Sequence, residues 1–170
     1  GYLKNDDYAG LQNYFSTVKR LLPSNTVHFC KHNTLNMLLV YFDQLAKENH
    51  IQFSANIQLP ESLPIPDHDL AVLIGNLVEN AVEACIVQKA GEKRILICGQ
   101  HQGNRLLFTI DNTFDRPIKQ DRSGIYLSSK HPGTGIGIES AKAIVQRHNG
   151  QLQLRQTDNM FCVSIAMELT

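Results

Sequence analysis

Two groups of residues are suited to holding a charged, oxygen-rich ligand. Gly133-Thr-Gly-Ile-Gly137 is a glycine run leading into a helical pattern that begins near Ile138. Glycines admit positive φ and let backbone N–H groups come close to oxygen atoms. The start of a helix adds unsatisfied donors and a positive dipole end. A di- or triphosphate is the natural guest, although a glycine run serves equally well as a plain turn. A Walker loop would end in Gly-Lys-Ser/Thr, whereas Gly137 is followed by Ile138 and Glu139. A Rossmann loop needs a strand directly before its glycines, and Ser128-Ser-Lys-His-Pro132 has no strand character.

The second group lies upstream, in Asn76-Leu-Val-Glu-Asn80. Four residues apart on a helix, Asn76 and Asn80 share one face, about 40° from each other. Asparagine is a mediocre helix former, so two of them among Leu73, Ile74, Leu77, Val78, Ala81 and Val82 require a reason. One reason is a metal: the amide oxygen is a neutral, hard ligand suited to Mg²⁺. The other is that both amides cap backbone groups or face water. Third, Phe108-Thr-Ile-Asp-Asn112 ends a strand in a carboxylate. Asp111 can accept a hydrogen bond from an adenine amino group, or simply form a turn.

The elements that must carry these residues follow from periodicity. Residues 5–22 repeat apolar positions at three and four and stop at Pro23, and the same pattern returns from about Thr34 to Asn49. Ile51, Phe53, Ala55, Ile57 and Leu59 alternate as a strand with one buried face. Asp67 is placed to cap a long helix over about His68 to Lys89, with Ala90-Gly91 as its stop. Arg94–Cys98 and Leu106–Asp111 flank a hairpin signal, and Gln151–Arg155 and Met160–Ala166 form a second. Between them, a helix from Ile138 ends at His148-Asn149-Gly150, and residues 112–132 show little periodicity, as a functional lid would. Strands grouped in hairpins predict an α+β two-layer sandwich: one mixed, mainly antiparallel sheet with helices on one face.

Composition sets the outer bounds. A chain of 170 residues with 42% hydrophobic and 19% charged content can bury one substantial core. Sixteen basic and sixteen acidic residues cancel, which argues against nucleic acid or an anionic membrane as a partner. No unbroken run of 18 apolar residues marks a membrane span. Cys30, Cys85, Cys98 and Cys162 lack metal or redox spacing, and their apolar neighbours predict buried, reduced thiols.

Taken together, the motifs resemble the superfamily of gyrases, heat-shock ninety chaperones, histidine kinases and MutL. Asn76-Leu-Val-Glu-Asn-Ala-Val-Glu-Ala84 is similar to its N-box, Asp111-Asn112 to the opening of its first glycine box, and Gly133-Thr-Gly-Ile-Gly137 to its second, in the same order. The subfamily resembled is that of Agr-type sensor histidine kinases, which answer peptide signals. The resemblance implies a Bergerat-type ATP-binding fold over about 24–170, with a lid at about 112–137. Residues 1–23 would then be the remnant of a dimerisation hairpin. Asn80 would hold Mg²⁺ on ATP, with Asn76 supporting it or touching phosphate. Asp111 would read adenine, and Gly133, Gly135 and Gly137 would hinge the lid. Lys130 and Thr134 would reach the phosphates.

The same resemblance implies a cytoplasmic domain of a membrane-anchored, homodimeric sensor. Its partners would be its own phosphoacceptor helices and a response regulator of LytTR type. Three departures stand out. The expected Asp-x-Gly-x-Gly is here Asp111-Asn-Thr-Phe-Asp115, and Glu83 replaces a basic residue that many such kinases carry. Asn76 stands where the hydrolases of the superfamily place a glutamate that activates water, so attack by water would lack a general base. None of the seven histidines falls in an acceptor-like motif, which places the acceptor outside this chain. Two rivals remain: an ATP-hydrolysing clamp of the same fold, and a nucleotide-free interaction module.

Overall fold

A computed structural model describes residues 27–115, 122–123 and 136–170. The helix expected over 5–22 lies outside the described residues. So do Lys130, Gly133, Thr134 and Gly135. The elements are α1 (Asn33–Glu48), β1 (Gln52–Gln58), α2 (Asp67–Val87), β2 (Arg94–Gln102), β3 (Arg105–Thr113), α3 (Ile136–Arg147), β4 (Gln151–Gln156) and β5 (Met160–Glu168). They form the expected α+β sandwich. The five strands lie in the order β1-β2-β3-β5-β4, with β1 parallel to β2 and every other pair antiparallel.

The topology follows from the connections. Parallel strands need a long crossover, and α2 supplies it between β1 and β2. The β2–β3 hairpin turns at Gly103, whose φ of 62° is open to glycine at no cost. Strand alternation then divides the sheet into two faces. Ile95 and Ile97 of β2, Leu106, Phe108 and Ile110 of β3, and Val163, Ile165 and Met167 of β5 are buried toward the helices. Ser54, Asn56, Cys98, Gln100, Thr109 and Ser164 are exposed on the outer face. This parity corrects the expectation of four buried thiols. Cys30 and Cys85 are buried, but Cys98 is exposed and Cys162 half-buried.

Helix α2 is the spine of the core. With a mean hydropathy of 1.7 over its best window, it is long and apolar enough to cross a membrane, yet 67% of that window is buried within this fold. Its start differs from the expected cap. Asp67 is the first helical residue, and Pro66 before it makes no side-chain cap. The Asp67 carboxylate instead accepts a hydrogen bond from Thr34 Oγ1 at 2.7 Å and lies 3.5 Å from His32 Nε2, tying α2 to α1. His32 is itself the cap of α1, its Nδ1 accepting from the Leu35 N–H at 3.4 Å. The far end of α1 closes with His50 at φ 56° and an Ile51 N–H bond to the Ala46 carbonyl.

Candidate functional site

Asn76 and Asn80 project from the side of α2 that meets α3. The two helices run antiparallel: Asp69, near the start of α2, bonds Arg147 and His148 at the end of α3, while Gly137, in the first turn of α3, lies against the asparagines. A Cβ built on Gly137 would sit 3.3 Å from Asn80 Nδ2, 3.5 Å from Asn80 Oδ1 and 3.6 Å from Asn76 Cβ. Glycine at this position is therefore what lets the backbone at the start of α3 approach the amide pair. Any side chain would have to displace the Asn80 amide by a few tenths of an ångström.

The electrostatics are unusual in one respect. Asn76 is 1% exposed, and among the described residues neither its Nδ2 nor its Oδ1 has a hydrogen-bond partner. A buried polar group left unpaired costs about 1–3 kcal/mol, and natural cores rarely retain one without a reason. Asn80 beside it is half-buried. A neutral pair of amides next to the unsatisfied N–H groups of a helix start fits a phosphate with a hard cation on it. Glu83, two turns along, is half-buried and engaged with partners of its own.

The end of β3 departs from the expected first glycine box in two ways. Asp111 lies on the outer face of the sheet, away from α2. It stands in register with Leu96 on one side and Cys162 on the other, with Arg155 next beyond Cys162. Burial, and then the neighbouring Asp111 carboxylate, push the Cys162 thiol up from its ordinary value, while Arg155 pulls the other way. The residue that turns toward the helices is Asn112, 4% exposed, whose Nδ2 donates to the Thr113 carbonyl at 3.0 Å. Strand parity explains this: Leu106, Phe108 and Ile110 face the core, and Asn112 is next in phase.

Thr113 and Asp115, the positions where the glycines were expected, are used structurally. Thr113 Oγ1 donates to Gln88 Oε1 at 2.9 Å and accepts from the Arg94 N–H at 2.9 Å. Asp115 Oδ2 accepts from the N–H groups of Lys89 and Ala90 at 2.6 and 2.9 Å. Gln88 Nε2 completes the loop through the carbonyls of Ala90 and Glu92. These bonds pin the α2–β2 connection to the end of β3, and they end α2 at Val87, two residues before the periodicity does.

The family follows from this geometry and from direct comparison. The GHKL domain pattern matches residues 67–168, from the first residue of α2 to the last of β5. The chain belongs to the GHKL domain family. Sequence relatives of this GHKL domain include the two-component sensor PhoQ of Pseudomonas aeruginosa, 26% identical over 120 residues. The sensor histidine kinase ZraS of Escherichia coli is 28% identical over 129 residues. These matches cover 68% and 72% of the chain, which spans about a quarter of each relative's length (26% of both).

The fold is that of histidine-kinase catalytic domains. The nucleotide-free catalytic domain of histidine kinase ThkA superposes with a TM-score of 0.63 at 17% identity, covering 86% of this chain and 97% of that one. Acinetobacter baumannii histidine kinase AdeS gives 0.62 at 15% identity, covering 95% and 77%.

Proposed function

We propose that this GHKL domain is the catalytic ATP-binding part of a sensor histidine kinase in two-component signalling. It binds Mg²⁺–ATP and presents the γ-phosphoryl to a histidine on the dimerisation helices of the full protein. The single observation that carries this reading is the buried Asn76 amide, without a partner among the described residues, beside Asn80 and with Gly137 close to both. In this reading Asn80 holds the metal and Asn76 supports it or meets phosphate. Mg²⁺, when bound, neutralises charge on the phosphates. Gly137 lets the start of α3 approach them; the motif resemblance would have Gly133 and Gly135, outside the described residues, hinge the lid and Lys130 and Thr134, also outside them, reach the phosphates.

The base is read by Asn112, which takes the part that the first glycine box assigned to Asp111. The Thr113 carbonyl holds its Nδ2, so the amide presents its oxygen as an acceptor for the adenine amino group. With no carboxylate at position 76 to activate water, catalysis rests on positioning and charge neutralisation. The eroded first glycine box supports placing the chain in the Agr-type branch, with homodimeric, membrane-anchored architecture and a LytTR-type response regulator following from that placement.

Because Thr113 and Asp115 are committed to structural bonds, a second reading has a specific basis: a GHKL fold that only docks partners. Titrating Mg²⁺–ATP while following thermal unfolding separates the two. Ligand at a hundredfold excess over Kd stabilises the folded state by about 2.7 kcal/mol. A rising Tm that saturates supports the kinase reading, and an unchanged Tm at millimolar ATP supports the docking module.

A further inference from the structure

We propose that Asp69 is a positioning residue: from the opposite end of α3, it sets where the glycine-led start of that helix meets Asn76 and Asn80. The inference rests on the ATP-binding reading for its consequence, and on geometry alone for its physical content. Asp69 is 7% exposed and both its oxygens are occupied. Oδ1 accepts from Arg147 Nη2 at 3.2 Å, and Oδ2 is 2.8 Å from His148 Nε2. The carboxylate sits in the first turn of α2, where the helix dipole favours negative charge. Its two donors leave the last turn of α3, where the dipole favours positive charge. One buried acceptor thus joins the two complementary helix ends.

The consequence reaches the site because α3 is a rigid lever. Asn80 lies eleven positions after Asp69, about 16 Å along α2, and the antiparallel α3 runs alongside that span. Ala141, Ile144 and Val145 bury its apolar stripe. Apolar burial is non-directional and by itself leaves a helix free to slide or roll along its groove. Directional bonds fix the register, and those of Asp69 tie the first turn of α2 to the end of α3.

The chain beyond α3 reinforces this fixed end. Asn149 adopts φ 50° and the Gly150 N–H returns to the Val145 carbonyl at 2.9 Å. A Cβ on Gly150 would fall 2.6 Å from both the Ala166 carbonyl oxygen and Met167 Cγ, so the turn is seated directly on β5. The other end of α3 touches the asparagines and is preceded in sequence by Gly133 and Gly135. A helix clamped at its C-terminus and led by glycines at its N-terminus is aimed from the clamp.

Asp69→Ala and His148→Ala test the idea in parallel with the unaltered chain. Affinity for Mg²⁺–ATP is compared with affinity for adenosine, which engages the base pocket without the phosphate end. Mg²⁺–ATP affinity is expected to fall about fivefold or more in both variants, with adenosine affinity unchanged. His148→Gln, which keeps a donor toward Asp69, is expected to restore most of the loss. Equal ATP affinity in all four proteins, or a parallel loss of ATP and adenosine binding, overturns the positioning role.

Nucleotide-free NMR spectra give a second, independent readout. The Gly137 amide and the Asn80 side-chain amide are expected to shift in Asp69→Ala, and unshifted resonances overturn the proposal. If the unaltered chain binds no nucleotide, the ATP reading falls while the spectra still decide the lever.

Discussion

Asn76 carries a buried primary amide whose Nδ2 and Oδ1 find no hydrogen-bond partner among the described residues. Replacing it with leucine, of similar volume, removes an unsatisfied pair of polar atoms from the core. The nucleotide-free domain is therefore expected to gain about 1–3 kcal/mol, which raises Tm by about 2–4 °C per kcal/mol for a chain of this size. Mg²⁺–ATP should at the same time cease to stabilise it. A lower Tm for ligand-free Asn76→Leu would mean that the amide is satisfied in solution and that its isolation has no functional meaning. A second pair of variants separates the two faces of β3. Asp111→Ala is expected to leave nucleotide affinity within twofold, because its side chain lies on the outer face. Asn112→Ala is expected to lower it by about tenfold, the scale of one lost hydrogen bond with its buried partner unpaired. Isothermal titration of both variants checks this, and the reverse ranking would return the base-reading role to Asp111. The asparagine pair was legible in the sequence because the four-residue spacing maps directly onto a helix face. The inward face of Asn112 was legible too, from the parity of Leu106, Phe108 and Ile110, although the motif points to the carboxylate one position earlier.

At the scale of elements, the positions without glycine at the end of β3 are explained by the loop they hold. Thr113 is 7% exposed, and its hydroxyl bridges Gln88 Oε1 and the Arg94 N–H. Thr113→Val keeps the shape and removes the bridge, leaving a buried amide oxygen and a backbone donor unpaired. The expected cost is about 1–3 kcal/mol, read as a lower urea midpoint with unchanged m. A variant as stable as the parent would show that the α2–β2 connection is held elsewhere. This network also marks where sequence reading ran out. Helix and strand identities followed from periods of 3.6 and 2, as did the stop at Asn149-Gly150. The end of α2 did not, because a side chain 25 residues downstream decides it. The start of α2 was missed for a related reason: Asp67 has the chemistry of a cap but spends its carboxylate on Thr34 and His32 of the neighbouring helix. Long-range partners of this kind leave no local pattern. Nor does periodicity say that Asp69 will meet Arg147 and His148, since that contact exists only once α2 and α3 lie antiparallel.

For the molecule as a whole, the proposed kinase reading, with an asparagine at position 76, predicts a domain that holds its substrate and waits for an acceptor. Water in the site gains no activation from the Asn76 amide, which cannot take a proton at neutral pH. Four of the described histidines are held away from the acceptor's task. His32 caps α1 from a position 1% exposed, and His148 is bound to Asp69 at the end of α3 remote from Asn80. His50 occupies the left-handed turn after α1, and His101 lies in β2 near its hairpin. Incubated with γ-labelled ATP and Mg²⁺, the domain is therefore expected to retain no acid-labile phosphoryl group on itself and to release inorganic phosphate at close to the uncatalysed rate. Adding helices that carry the acceptor histidine of the full protein should produce label on those helices alone. Asn76→Glu restores a carboxylate where the hydrolases of the fold have one, so any rise in phosphate release by that variant supports the assignment of roles. Brisk hydrolysis by the unaltered chain would instead identify an ATP-driven clamp, with water activated by a group other than residue 76.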